Sequence, residues 1–275
     1  MSCIKKLNQN TQKIRAIFIN TLATIMSKLA IITGATSGIG RATAVAFANL
    51  GIDLVICGRR IERLNELKEE LSSKVKVHTL TFDVRDREAV ETALNSLPEE
   101  LKQVDILLNN AGNAHGLGTI QDGDVADWDA MIDGNVKGLL YVSKVVMPWM
   151  IARQTGHIVN ISSIAGKQTY PNGNVYCASK AAVEAISEGM RLDLNPHNIK
   201  VTNIAPGAVE TEFSMVRFKG DAQKSDAVYQ GFQPLVAEDI ADIIAFTVTR
   251  PAHVVLADIL VYPTAQASPA VIKRQ

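Results

Sequence analysis

Cysteine, surplus charge and long apolar runs are all scarce in this chain, and each scarcity removes a class of protein. The 3 cysteines, Cys3, Cys57 and Cys177, stand far apart without metal-ligand spacing. That excludes a disulfide-stapled domain and a zinc site, and fits a reduced cytosolic setting. Lysine plus arginine and aspartate plus glutamate each number 28, for a formal net charge of +0. No electrostatic case for nucleic acid or an anionic membrane follows. No run approaches the roughly 18 apolar residues of a spanning helix. His115 and His157 read as structural or exposed, and no metal constellation accompanies them. Acidic residues are missing altogether before Asp53.

That last absence marks off the first 26 residues. Lys5, Lys6, Lys13 and Arg15 are basic, and the apolar stretch from Ile14 to Met26 is broken by Asn20, Thr21 and Thr24. The segment 1–26 reads as a leader: disordered, targeting or membrane-touching, or the product of a mis-assigned start. Met26, just before Ser27-Lys28, is an economical natural start.

What remains is a core-forming chain. Of 275 residues 47% are hydrophobic, enough for one α/β domain of about 250 residues. Apolar runs predict strands at Leu29–Ile32, Asp53–Cys57, Val75–Phe82, Ile106–Leu108, Gly156–Ile161, Ile199–Ile204 and Leu256–Tyr262. Between them helical patterns run over Arg41–Leu50, Arg87–Leu97, Asn135–Ile151 and Asn174–Leu194. Another carries an apolar stripe of Ile61, Leu64, Leu67 and Leu71. Short apolar strands alternating with helices predict a parallel sheet covered on both faces and doubly wound, with ligands at the carboxyl ends of the strands. No repeat or linker divides 27–275, which reads as one domain.

The first strand opens into Gly34-Ala35-Thr36-Ser37-Gly38-Ile39-Gly40. Gly34 permits a sharp turn, Gly38 admits a phosphate to the backbone, and Gly40 lets the next helix pack close to the strand. The amino end of that helix then faces a diphosphate. At the end of the second strand stand Arg59 and Arg60, where NAD enzymes usually place an acid. A guanidinium matches a 2′-phosphate, so the expected cofactor is NADP. The competing reading, a solvated helix start paired with Glu62, puts cations where the helix dipole disfavours them. Asp83, ahead of Val84, either hydrogen-bonds the adenine or caps the next segment.

Downstream, Tyr176 and Lys180 lie one helical turn apart, with Ser163 13 residues before the tyrosine. A phenol needs its pKa lowered by about three units, roughly 4 kcal/mol, to act as a base at neutral pH. One ammonium about 4 Å away, at an effective dielectric near 20, supplies about that much. Ser163 would hold the substrate oxygen, and Asn135 a water linking Lys180 to solvent. With 5 tyrosines in the chain, such a pair alone arises readily by chance. Its order and spacing after the glycine motif is the signal. Cys177 reads as a small packed residue rather than a nucleophile.

From Ser27 onward the chain resembles the short-chain dehydrogenase/reductases. The resemblance is carried by Thr33 to Gly40, Asn109-Asn110-Ala111-Gly112, Asn135, Ile161-Ser162-Ser163, Tyr176 to Lys180 and Pro206-Gly207. It implies a Rossmann-type, doubly wound seven-stranded sheet and a catalytic tetrad of Asn135, Ser163, Tyr176 and Lys180. It also implies a cofactor bed that includes Val84, Asn109, Asn110, Ala111 and Gly112, with Pro206, Gly207, Val209 and Thr211 beside the nicotinamide. A homotetramer built on the two long helices is implied as well. A closer similarity is to NADP-dependent 3-hydroxy acid dehydrogenases, which oxidise serine, L-allo-threonine and 3-hydroxypropionate-type acids and reduce malonic semialdehyde. It rests on Gly58-Arg59-Arg60, Gly173-Asn174-Val175-Tyr176, Thr211-Glu212-Phe213, Val216 to Asp221 and Pro251-Ala252-His253-Val254. Arg217 or Lys219, in the segment that would cover the substrate, is then the expected partner of its carboxylate. The rivals are a 3-oxoacyl thioester or general ketone reductase on the same tetrad, and a non-catalytic NADP-binding regulator.

Overall fold

The seven apolar runs form strands because the chain can cover both faces of the sheet they make. The computed structural model describes residues 27–275; the leader at 1–26, with Cys3 and Met26, lies outside the described residues. In chain order the elements are β1 (Leu29–Thr33), α1 (Gly38–Asn49), β2 (Asp53–Gly58), α2 (Ile61–Leu71), β3 (Val77–Thr81), α3 (Arg87–Asn95), β4 (Ile106–Asn109) and α4 (Val125–Ile132). A π-helical turn, Asp133–Lys137, leads into α5 (Gly138–Arg153), followed by β5 (Gly156–Ile161), α6 (Ile164–Lys167), α7 (Asn174–Leu194) and β6 (Ile199–Pro206). The last part holds β7 (Val209–Glu210), α8 (Glu212–Arg217), α9 (Ala222–Ala227), β8 (Leu235–Val236), α10 (Ala237–Val248) and β9 (Asp258–Val261).

The main sheet has the order β3-β2-β1-β4-β5-β6-β9, every pair parallel. Alternate residues of each strand serve opposite faces. Ile31, Val55, Leu107 and Ile158 pack under α3, α5 and α7, against Val90, Val142 and Val183. Ile32, Ile56, Leu108 and Val159 pack against Phe47 of α1, Leu64 and Leu67 of α2, and Ile240 and Ile244 of α10. This is a single-domain Rossmann-type fold with seven parallel strands.

The strand expectations hold to within two residues at each end, and the helices depart in informative ways. Helix α1 starts at Gly38, inside the glycine turn, not at Arg41. In α2 the first residue, Ile61, is 39% exposed, and the buried stripe is Leu64, Leu67 and Leu71 alone. The helix expected from Asn135 begins ahead of it as α4, capped by the Asp124 carboxylate accepting from Ala126 N at 2.9 Å. Helix α10 was not foreseen, although Asp239 in its first turn accepts from Val236 N at 2.9 Å.

β4 returns beside β1, so the loops after these two strands diverge and leave a crevice between them. That topological switch sets where a ligand can lie. One buried titratable group takes no part in it. His157, on β5, places Nε2 2.8 Å from Thr202 Oγ1, and its Nδ1 has no partner. Burial, reinforced by Lys200 and Lys28, holds its pKa down at about 3 against an ordinary 6.5. Below about 6.5 the unfolded chain therefore binds a proton that the fold does not. Stability should fall with decreasing pH across this window, by up to about 1.4 kcal/mol per pH unit from this residue. Denaturant unfolding between pH 4.5 and 7 should show that slope reduced in His157→Gln; an equal slope in both proteins would remove His157 as its source.

Candidate active site

The crevice is built first from glycine. Gly34 and Gly38 have φ of +68° and +50°, and a Cβ on Gly40 would lie 2.4 Å from Gly34 O and 2.5 Å from Asn110 Nδ2. Only glycine at these positions lets α1 pack so closely against the loops after β1 and β4. Ser37 begins α1 with no side-chain cap, so the first N–H groups of the helix face the crevice. The Arg60 guanidinium comes from the opposite wall, donating to Thr36 Oγ1 at 2.8 Å and to Ser37 Oγ at 2.8 Å. A glycine cradle, an uncapped helix terminus and an adjacent arginine are the features a 2′-phosphorylated dinucleotide requires, so the residues present fit NADP.

Arg59 is 64% exposed and reaches Asp83 at 3.6 Å. Asp83 is engaged more tightly by Arg85, with contacts of 2.7–3.1 Å. Partial burial opposes its charge, yet the Arg85 hydrogen bonds hold its carboxyl below the usual range. Asp83 Oδ1 also accepts from Arg85 N at 3.0 Å, so the carboxylate caps the following segment, one of its two readings, and adds an ion pair to the Arg85 side chain not foreseen from the sequence. Ala111, Gly112, Ile39, Val84, Val209 and Thr211 line the crevice, as do Pro206 and Gly207. Asn109 does not. It is buried in the sheet, donating to Ser143 Oγ and Asn160 Oδ1. Gly40 likewise shapes the cradle from behind.

At the other end of the crevice α6 and α7 bring the tetrad together. Ser163 ends the loop after β5; its hydroxyl accepts from Ala165 N at 3.1 Å and donates to Pro206 O at 3.4 Å. Lys180 Nζ donates to Ile161 O at 3.0 Å, and Ser162 Oγ donates back to Lys180 O at 3.1 Å, fastening α7 to β5. Burial lowers the Lys180 pKa to about 8, with Glu184 opposing it. The Tyr176 phenol departs from expectation. Burial pushes its pKa up, and the groups that pull it back are the Ser163 hydroxyl and the Arg217 guanidinium. Lys180, which donates to Ile161 O, is not among the groups that pull it back, and the loss of water around the ring decides the direction.

Asn135 stands buried in the π turn ahead of α5. Its Oδ1 accepts from Asn113 N at 2.7 Å, and its Nδ2 donates to Asn113 O and Ser179 Oγ. Three of the four hydrogen bonds this side chain can make are spent on pinning the loop after β4 to α7.

Arg217, at the end of α8, reaches into the crevice. It donates to Tyr170 Oη at 2.9 Å and to Gly116 O at 3.2 Å, and lies 5.6 Å from the Tyr176 ring centroid. Lys219 instead pairs with Asp127 at 2.9 Å and Asp124 at 3.5 Å. Of the two cations considered, only Arg217 faces the tyrosines. Tyr170, Gln266 and His115 also line the crevice. His115 is thus no bystander, and burial lowers its pKa. A tyrosine six residues before Tyr176 was the available signal for Tyr170; Gln266 had none.

A family profile described as short chain dehydrogenase matches residues 28–222. The chain belongs to that family. Sulfoacetaldehyde reductase 2 from Chromohalobacter salexigens is 49% identical over 243 residues, 88% of this short-chain dehydrogenase and 96% of that protein. The NADP-dependent 3-hydroxy acid dehydrogenase YdfG of Escherichia coli (strain K12) is 44% identical over 240 residues, 87% of this chain and 96% of its own. Among solved structures, the closed form of serine dehydrogenase complexed with NADP+ matches with a TM-score of 0.84 at 43% identity, covering 90% of this chain and 100% of that one. No helix among the described residues is long and apolar enough to cross a membrane.

Asn135→Ala should leave Asn113 N–H and C=O without partners. A loss of about 2–4 kcal/mol in stability is expected, read from denaturant unfolding. A loss under about 0.5 kcal/mol would mean that the loop repairs itself.

Proposed function

We propose that this short-chain dehydrogenase is an NADP-dependent oxidoreductase acting on a small acid whose reacting carbon is separated from the anionic group by one carbon. Arg217 carries the reading. It sets a guanidinium 5.6 Å from the Tyr176 ring, where an anionic end would rest while the reacting carbon meets the tyrosine. The substrates in the relatives' names share this shape, with an aldehyde beside a sulfonated carbon or a hydroxyl on the carbon β to a carboxylate. Within it the reading favours carboxylates: serine, L-allo-threonine, 3-hydroxypropionate and malonic semialdehyde.

NADP bound along the crevice supplies the hydride in reduction and takes it up in oxidation. The turn Gly34 to Gly40 with the amino end of α1 would hold the diphosphate, and Arg60 the 2′-phosphate. Asn110, Ala111 and Gly112 form the wall between these groups and the catalytic end. Ser163 holds the substrate oxygen beside Tyr176, and Tyr176 moves the proton. With its pKa raised by burial, Tyr176 keeps that proton at neutral pH and is poised to donate it to a carbonyl oxygen. Oxidation requires the phenol to lose it first, a step that the positive charges of Arg217 and Lys180 favour. Lys180, one turn away with a pKa of about 8, is placed to pass protons on.

A half-buried guanidinium at the substrate end suits a short anion better than a long 3-oxoacyl thioester. A non-catalytic binder of NADP would have no use for Ser163. The homotetramer belongs to the same reading and is supported by Leu140 on α5 and Leu192 on α7, both exposed. Sedimentation velocity reads it directly.

Formation of NADPH should be seen with L-serine, L-allo-threonine or 3-hydroxypropionate, with NAD and a neutral secondary alcohol as controls. Turnover of 2-hydroxyethanesulfonate in their place would keep Arg217 and change the acid. Arg217→Ala should raise KM for the acids about ten- to a hundred-fold, the worth of a hydrogen bond to a charged group. Its effect on the neutral alcohol should be small; equal effects would sink the assignment. Because the Tyr176 pKa is raised, kcat for oxidation should climb with pH through the alkaline range, while reduction loses rate only once the phenol ionises. Opposite slopes in the two profiles would overturn the proton role.

A further inference from the structure

At the end of the crevice where the cofactor's ribose would sit, a carboxylate already holds the arginine. Glu212, the first residue of α8, accepts from Arg60 Nη1 at 2.9 Å through one oxygen and from Arg63 Nη1 at 2.6 Å through the other. Arg63, in the first turn of α2, stands three residues after Arg60 at the amino-terminal cap of that helix, so two guanidiniums converge on one anion delivered from the opposite wall. Partial burial works against the charge, but the hydrogen bonds from Arg60 and Arg63 hold the Glu212 carboxyl below its ordinary range, so it is ionised at neutral pH. Arg60 meanwhile keeps its contacts to Thr36 and Ser37 at the phosphate-binding turn. A phosphate entering this fork would meet a carboxylate on the same donors. Two anions cannot share them without repulsion.

We propose that Glu212 is an internal counter-anion that competes with the 2′-phosphate of NADP for Arg60 and Arg63, and so limits how strongly the enzyme prefers NADP to NAD. Arg63 is thereby assigned as a second phosphate-receiving residue. The inference rests on the NADP reading of Arg60. An uncharged 2′-hydroxyl gives no cause to displace Glu212, so NAD is insensitive to the competition. All three side chains are 41–45% exposed, so the competition is screened and its effect is several-fold rather than a thousand-fold. The bland reading is an ion pair that only fastens α8 to α2. It predicts a change in stability with no change in cofactor preference.

The test is equilibrium binding of NADP, NAD and adenosine 2′,5′-bisphosphate by titration calorimetry, which needs no turnover. Glu212→Gln should tighten NADP and the bisphosphate about three- to ten-fold and leave NAD within about two-fold, the gain shrinking at high salt. Arg63→Met should weaken the same two ligands about ten-fold and again spare NAD. NADP binding that is unchanged or weaker in Glu212→Gln, in a protein that otherwise discriminates, overturns the competition. NADP binding unaffected by Arg63→Met overturns the second arginine. A wild-type protein that binds NAD as tightly as NADP fells the NADP reading, and this inference with it.

Discussion

Thr33 closes the gap that the strand order opens between β1 and β4. Its hydroxyl donates to Leu108 O and accepts from Asn110 N and Ala111 N, while Asn110 Nδ2 returns to Thr33 O and Gly34 O. Each residue thus satisfies the backbone of the other's loop, in a place where two diverging chain segments would otherwise leave polar groups unpaired. The glycine turn is seated by this clasp, because Gly40 packs against Gly34 O and Asn110 Nδ2 together. The amino end of α1, and with it the whole phosphate-binding half of the crevice, takes its position from there.

A second clasp does the same for the catalytic half. Lys180 and the Ile161-Ser162 pair exchange hydrogen bonds between side chain and backbone, so α7 cannot slide along β5. Asn135 ties the first clasp to the second: one amide reaches the loop after β4 and Ser179 on α7. The π turn around it lets a buried asparagine face sideways between two helices. This three-point fastening holds the loop after β4, strand β5 and helix α7 in one arrangement.

Charge is then distributed along a crevice whose chain is neutral overall. Two arginines meet Glu212 at one end, and Arg217 faces two tyrosines at the other, both on the short helix α8. That helix thus joins the arginine pair after β2 to the tyrosines of the loop before α7 and of α7 itself. Burial decides the sign of each titration within the crevice, raising the phenol of Tyr176 and lowering the amine of Lys180. In both cases desolvation outweighs the neighbouring charge.

The sequence by itself determined the parts whose physics is local. Seven apolar runs are legible because residues on both faces of a covered sheet must be apolar, and the glycine turn because a left-handed backbone excludes side chains. Tyr176 and Lys180 are legible because one helical turn sets their spacing. Only the tertiary structure decided which charged groups meet. Glu212 and Arg60 are 152 residues apart, Arg217 and Tyr170 are 47 apart, and Asn135 meets Ser179 44 residues on. It also moved Asn109 out of the crevice, gave the side chain of Asn135 a structural task and brought His115 into the crevice lining. No local periodicity encodes such pairings. They exist because the sheet's crossovers fold distant loops onto one edge, where each buried donor must find whatever acceptor the topology has brought beside it.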